Sequence, residues 1–174
     1  EIIKPSINKC FADFRAIDGK IFYGLGAIKN VGFEAISNII NEREKNGAFK
    51  SFDDFICRVS TKDINKLQLE GLVKAGVFDE FDKDRNKILV SIPKIIQVVK
   101  KINDDKESRQ SNLFGNDEND QEAFEFSKSS PWTQKELLSE EFKSIGFYLT
   151  NHPLNEFEDI FNQLNIISMV NFSK

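Results

Sequence analysis

The chain has 174 residues, 40% of them hydrophobic and 30% charged, which is enough to bury a core as one domain or two small ones. It contains no apolar run long enough to span a bilayer, and its opening, EIIKPSINKC, lacks a basic segment followed by an apolar one, so a cytosolic protein is expected. Cys10 and Cys57 stand far apart and outside any C-x-x-C pattern, which argues against a disulfide scaffold or a zinc site and for buried thiols.

The net charge of −4 argues against an indiscriminate polyanion binder, but the charge is unevenly spread. Residues 15–102 carry 16 basic against 12 acidic side chains, whereas residues 103–174 carry 6 against 14. A mildly basic front therefore precedes an acidic back, and a binding face belongs on the front.

In chain order, FADFRAIDGKIFYGL places β-prone residues on both sides of Asp18-Gly19. A two-residue Asp-Gly loop needs φ > 0 at both central positions, and this predicts a β-hairpin over about residues 12–23. The next stretch, YGLGAIKNVGFEAISNII, returns to glycine three times, at 24, 26 and 32. Each glycine in a helix interior would cost about 1 kcal/mol relative to alanine, so these mark tight turning or close backbone approach. After Gly32 the apolar positions Phe33, Ile36, Ile39 and Ile40 fall at helical spacing, and the pattern stops at Asn46-Gly47.

Ser51 with Asp54 reads as a capping box, with Asp in place of the usual Glu, for a short helix in SFDDFICRV, and TKDINKLQLEGLVKAGVFDEF as a second helix ending at Ala75-Gly76. RNKILVSIPKIIQVVKKI is a longer apolar helix with a kink or break expected at Pro93. From Asn103 to Ser130 the chain turns polar and acidic, a linker composition in which Leu113-Phe114 stands out as an apolar pair. Beyond Pro131-Trp132, helical spacing resumes through Leu137, Leu138 and Phe142, and IGFYLTNHPLNEFEDIF predicts a short strand followed by a helix.

Ile28-Lys29-Asn30-Val31-Gly32 is short enough to join two helical stretches as a helix-hairpin-helix turn. Such a turn offers backbone N–H groups at the start of the second helix, where the helix dipole favours an anion. A phosphate reaches them only where no side chain intervenes, which suits Gly32, while Lys29 supplies a cation. Asn30 stands where the first glycine of the usual Gly-apolar-Gly core would be, and asparagine tolerates the left-handed region. The duplex-binding residues are thus expected to be Lys29, Asn30, Val31, Gly32 and Phe33, against the plainer alternative of a helix–helix connection. LEGLVKAGVFDEF repeats the rhythm loosely, but Asp79 and Glu80 sit where a phosphate would come, so this second copy is expected to be structural.

PSIN, the hairpin running into YGLGAIKNVG, the segment FDDF…NKLQLEGLVKAGVFD and the later IGFYLTNHPL occur in an order that resembles the alpha subunit of the bacterial replicative DNA polymerase III. The resemblance runs over about residues 5–160, with Ser6 where the family often has Asp and Asn30 in place of the hairpin's first glycine. It implies a fragment lying after the palm and main fingers: residues 1–24 ending the fingers region, 25–102 a tandem helix-hairpin-helix DNA-binding domain, 103–131 a flexible acidic linker, and 132–174 a segment leading into the next domain. The expected fold is mainly α with a small β-hairpin, followed by the linker and a short α/β segment.

The resemblance also implies that the metal-holding carboxylates, and the Mg2+ ions of polymerisation, belong to the parent chain upstream. No cofactor, metal ligand or catalytic residue is expected here, and the fragment alone is expected to be inactive. Asp53-Asp54 reads as helix capping and Asp104-Asp105 as linker charge; His152, the only histidine, reads as a packing or turn residue before Pro153. Gln110, Ser111, Asn112, Leu113 and Phe114 resemble the clamp-binding motif of bacterial replication proteins, a glutamine and two variable residues before Leu-Phe. Expected partners are duplex DNA, the sliding clamp and other replicase subunits, with no membrane. Two other readings stay open. A helix-hairpin-helix repair enzyme such as a glycosylase would need a catalytic Asp, usually with a Lys, for which FKSFDDFICRV offers no match. A protein-interaction module accounts for the acidic linker but leaves Lys29 and Gly32 without a purpose.

Overall fold

The computed structural model describes residues 1–111, 124–164 and 166. Strands β2 (Arg15–Ile17) and β3 (Lys20–Phe22) pair antiparallel across a turn in which Asp18 has φ 50° and Gly19 φ 73°. The Asp-Gly signal therefore marks the hairpin correctly. A two-residue strand, β1 (Ile2–Ile3), adds in parallel to β3 with Ile2 opposite Ile21, giving the order β1-β3-β2. So short a strand carries no periodicity to read. On the inner face Phe22 meets Phe11 edge to face at 5.8 Å, and the Arg15 guanidinium lies 4.1 Å over the Phe11 ring.

Helix α1 (Phe33–Asn46) buries Ile36, Ile39 and Ile40 and ends before Gly47 at φ 84°, as its spacing predicts. On the same face Arg43 is buried and donates to the carbonyls of Ile7 and Cys10, both at 2.7 Å. Burial pushes its guanidinium below the ordinary arginine value. Helix α2 (Phe52–Arg58) starts at Ser51, whose Oγ accepts from Asp54 N–H at 3.1 Å. The Asp54 carboxylate does not return the bond to Ser51 N–H as a full box would; it accepts from Lys50 N–H at 2.9 Å and from Arg58 at 3.1 Å. Helix α3 (Lys66–Lys74) ends in a turn with Gly76 at φ 78°. Phe55, Phe78, Leu69, Leu72, Ile88 and Ile92 fill the centre of the core, with the Phe55 and Phe78 rings 4.9 Å apart.

Helix α4 (Arg85–Ser111) runs through Pro93 without the expected break. Pro93 is on the exposed face, where water can satisfy the Leu89 carbonyl that the missing N–H leaves open, while Ile88, Ile92, Ile95 and Val99 stay buried opposite. The helix also takes up residues 103–111, read from composition as linker. Asn103 fastens it to α2 by donating to Val59 O at 3.2 Å.

Residues 124–130, likewise read as linker, lie extended along α2 and α4. Phe124 N–H donates to Asp53 at 3.0 Å, Ser127 N–H to Ser91 Oγ at 2.8 Å, and Asn86 to Ser130 O at 2.7 Å. The Phe126 ring is 5.3 Å from that of Phe52. Two phenylalanines thus hold down a segment whose average composition is that of a solvated chain.

Helix α5 (Gln134–Ile145) opens with a Thr133–Glu136 capping box and closes at Gly146, φ 93°. The strand expected in IGFYLTNHPL does not form. Glu141, fully buried, takes the backbone N–H groups of Leu149 and Thr150, each at 2.9 Å, together with the Thr150 hydroxyl at 2.5 Å. A carboxylate that gathers consecutive amides wraps the chain into a turn and removes the donors a ladder would need. A 3₁₀ turn (Pro153–Phe157) and helix α6 (Glu158–Gln163) follow, so the end of the described chain is helical rather than α/β. His152 caps that turn, its Nδ1 accepting from Leu154 N–H at 3.2 Å. No described helix is long and apolar enough to cross a membrane.

Glu141 also lies 3.5 Å from Arg85 Nη1, and both side chains are almost wholly buried. Removing Glu141 leaves Arg85 with Asp79 as its one carboxylate partner and strips two backbone amides and a hydroxyl of their acceptor, at a cost of about 3–5 kcal/mol. Glu141→Ala should therefore lower the urea unfolding free energy by about that amount, with Glu141→Gln, which can still accept from the 149–150 amides, losing less.

Candidate nucleic-acid interface

The glycine-rich stretch divides its work between two kinds of residue. A Cβ at Gly24 would lie 2.7 Å from Phe14 N, and one at Gly26 3.0 Å from Ala12 O. Both glycines let the segment at 11–14 come close, with Leu25 N–H bonded to Phe11 O at 2.8 Å and Gly26 N–H to Ala12 O at 2.9 Å. Neither has positive φ; the left-handed residue of the stretch is Asn30, at φ 67°. Only one 3₁₀ turn, Leu25–Ala27, precedes the hairpin where the sequence pattern implies a helical stretch.

Ile28 and Val31 point into the core, while Lys29, Asn30, Gly32 and Phe33 are exposed. Val31 N–H is bonded to Ile28 O at 3.1 Å, so Val31 serves the turn rather than offering its amide outward. Lys29 N–H donates to Ser144 O, at the end of α5, at 2.9 Å. Lys29 O packs on α3 at Gly71, where a Cβ would come within 2.5 Å of it. The hairpin is thus held between α3 and α5, leaving the Lys29 side chain and the start of α1 facing water.

That start is open. Side chains of Ser51, Asn65, Asp84 and Thr133 accept N–H groups at the beginnings of α2, α3, α4 and α5, whereas Gly32 gives α1 no side-chain cap. The first-turn N–H groups of α1 therefore meet solvent with the positive end of the helix dipole behind them and Lys29 beside them. Glu34 in that turn is exposed and opposes the effect in part. Gly32 has φ −75° and ψ 131°, open to any residue, so what glycine supplies is room: a Cβ would sit 3.3 Å from Gln68 Nε2.

The second turn is filled from within. A Cβ at Gly76 would fall 2.1 Å from Arg85 Nη2, and Arg85 binds Asp79 through Nη2 at 2.6 Å and Nε at 2.8 Å. Asp84 takes the amide position at the head of α4 that an anion would use.

Residues 1–88 match the family described as helix-hairpin-helix motif, just over half of the chain. The chain belongs to the helix-hairpin-helix family. Beyond that motif it is similar to the DNA polymerase III subunit alpha of Borreliella burgdorferi, 39% identical over 173 residues, covering 96% of this chain and 15% of the relative. The corresponding subunit of Caulobacter vibrioides is 38% identical over 87% of the chain and 13% of the relative, and that of Campylobacter jejuni 33% over 99% and 15%. The resemblance read from the separated sequence motifs is therefore shown, and the chain spans about one-seventh of the length of the relatives it matches.

Within this helix-hairpin-helix chain, Gln110 and Ser111 are the last two residues of α4, and Asn112, Leu113 and Phe114 lie outside the described residues. Asp53 is engaged by Phe124 N–H and Asp54 by Lys50 and Arg58, while Asp104 and Asp105 lie on α4. Sequence reading missed Gln68 and Ser144 as neighbours of the hairpin. The Asn65-x-x-Gln68 pattern was a legible cap, but its contact with Gly32 depends on how α3 packs.

A β-branched residue forced to φ near +67° at position 30 costs about 1–2 kcal/mol. Asn30→Val should therefore destabilise the chain by about that amount in urea, whereas Asn30→Gly, which restores the Gly-apolar-Gly core, should leave stability within about 0.5 kcal/mol.

Proposed function

We propose that the chain is a segment of a DNA polymerase III alpha subunit, acting in the cytoplasm, that grips the backbone of duplex DNA without reading its sequence and tethers the polymerase to a sliding clamp. The uncapped start of α1 at Gly32, with Lys29 exposed beside it in a helix-hairpin-helix chain, is the observation that carries the duplex reading. Backbone amides and a lysine fix a phosphate oxygen but touch no base edge. The contact is electrostatic, so it weakens as salt displaces the advantage of counterion release.

Nucleotide transfer belongs elsewhere in the parent polypeptide. Two-metal chemistry needs carboxylates converging on one point, and Asp53 and Asp54 are committed to separate structural bonds. Among the described residues no group of carboxylates and histidines is placed to hold a metal ion, and on this reading the segment alone is inactive. The Gln110–Phe114 stretch supports the tethering role through its chemistry: one amide for hydrogen bonding and two adjacent apolar side chains for a pocket.

Titration of two unrelated duplexes at low and moderate salt tests the duplex reading. Both should bind weakly and alike, both should weaken with salt, and Lys29→Glu should lower affinity for each by about tenfold, since a hydrogen bond to a charged group contributes about 1.5–3 kcal/mol. Strong preference for one duplex, or indifference to salt, would sink it. For the clamp, Leu113→Ala with Phe114→Ala should reduce affinity at least about tenfold in a calorimetric titration, because each buried apolar side chain is worth roughly 1.5–3 kcal/mol. Duplex binding should be unchanged in that double variant.

A further inference from the structure

The side chain from another element that a Cβ at Gly32 would meet is Gln68, and its orientation is fixed by a bond that has nothing to do with α1. Asn65 and Gln68 form the capping box of α3: Asn65 Oδ1 accepts from Gln68 N–H at 3.0 Å, and Gln68 Oε1 accepts from Asn65 N–H at 2.9 Å. Since a backbone N–H can only donate, the oxygen of the Gln68 carboxamide is the atom that faces Asn65. The NH₂ end is then turned away from the box. It stands beside Gly32, 3.3 Å from where a Cβ there would be, and no acceptor holds it among the described residues.

The choice of glutamine is informative. A capping box accepts Glu as readily as Gln at this position. The same chain uses Glu for the purpose at the head of α5, where Glu136 Oε2 accepts from Thr133 N–H at 2.8 Å. Glutamate at 68 would cap α3 equally well but would put a carboxylate oxygen beside Gly32, at the positive end of α1. Glutamine caps α3 and places two N–H donors there instead.

We propose that Gln68 is a DNA phosphate contact: its Nε2 donates to the same backbone phosphate that the α1 amides and Lys29 hold, so that the cap of one helix completes the anion site of another. The proposal rests on the duplex reading above and assigns a binding residue that lies 36 positions downstream of Gly32. It also accounts for Gly32, since any side chain at that position would crowd the carboxamide as well as the incoming phosphate.

The test compares duplex binding by the full chain at low salt, by fluorescence anisotropy, for the parent sequence and for Gln68→Glu, Lys29→Glu and Gln97→Glu. Gln97 is exposed on α4, and its change adds the same charge away from the hairpin. The expected result is at least tenfold weaker binding for Gln68→Glu, with its urea midpoint unchanged because the box is kept, and less than twofold weakening for Gln97→Glu. Equal weakening by Gln68→Glu and Gln97→Glu would reduce the effect to net charge and overturn the proposal. So would parent-like binding by Gln68→Glu while Lys29→Glu is weakened, an outcome that leaves the duplex reading standing. Failure of the parent sequence to bind either duplex overturns the duplex reading and this proposal with it.

Discussion

The guanidinium of Arg85 is the joint on which the helical body turns. It sits at the head of α4, buried, with Asp79 bound through two nitrogens, Lys74 O at 2.9 Å and Glu141 at 3.5 Å. Burial alone would lower its pKa; the bonds and charge of Asp79, with Glu141 behind, outweigh this and hold it above the ordinary arginine value. The cation therefore stays charged in the interior. It ties the end of α3, the start of α4 and the middle of α5 into one unit, and through Glu141 it also shapes the turn at 147–150. Beside it Lys74 reaches Glu140 at 2.9 Å, so part of the acidic balance of the C-terminal half is spent inside the fold.

The same joint explains why two similar turns come to differ. Each has a left-handed residue, Asn30 in one and Gly76 in the other, and each leads to a helix. At the second, Arg85 occupies the space over Gly76 and Asp84 occupies the head of α4. At the first, Gly32 gives the helix head no side-chain cap, and among the described residues no cation or carboxylate of another element bonds there. A turn of this kind is a ligand site only when the chain itself does not satisfy it. The turn at Gly76 is satisfied by its own residues, Arg85, Asp79 and Asp84.

What was legible in the sequence was local. Asp18-Gly19 demanded two positive φ values and has them, the isoleucines of α1 follow the helical period, and Ser51 caps α2. What was not legible depends on distant partners. Glu141 reads as one more charge on an amphipathic helix, yet it takes amides from eight and nine residues away and abolishes the strand that the β-prone run at 147–150 would favour. Phe124 and Phe126 disappear into an acidic average, although Asp53 and Phe52 hold them. Val31 counts among the phosphate-binding residues in the sequence as one of the backbone amides of the turn leading into α1, and it is the bond from its N–H to Ile28 O that commits that amide to the turn.

The hairpin also draws support from beyond the matched motif. Residues 1–88 contain the turn, α1 and α3, but not Ser144, which accepts the Lys29 amide, nor Glu141, which pairs with Arg85. The two losses would be unequal. Lys29 is exposed, and water can replace Ser144 as acceptor for its amide at little cost. Arg85 has Asp79 as its remaining carboxylate, half in solvent, so losing buried Glu141 and the cover of α5 would expose the guanidinium and loosen the packing of α3 against α4. Because Lys29 O rests directly on α3 at Gly71, a shift of α3 moves the hairpin with it. The geometry at Gly32 is therefore set by α5 through the core as well as by the hairpin sequence.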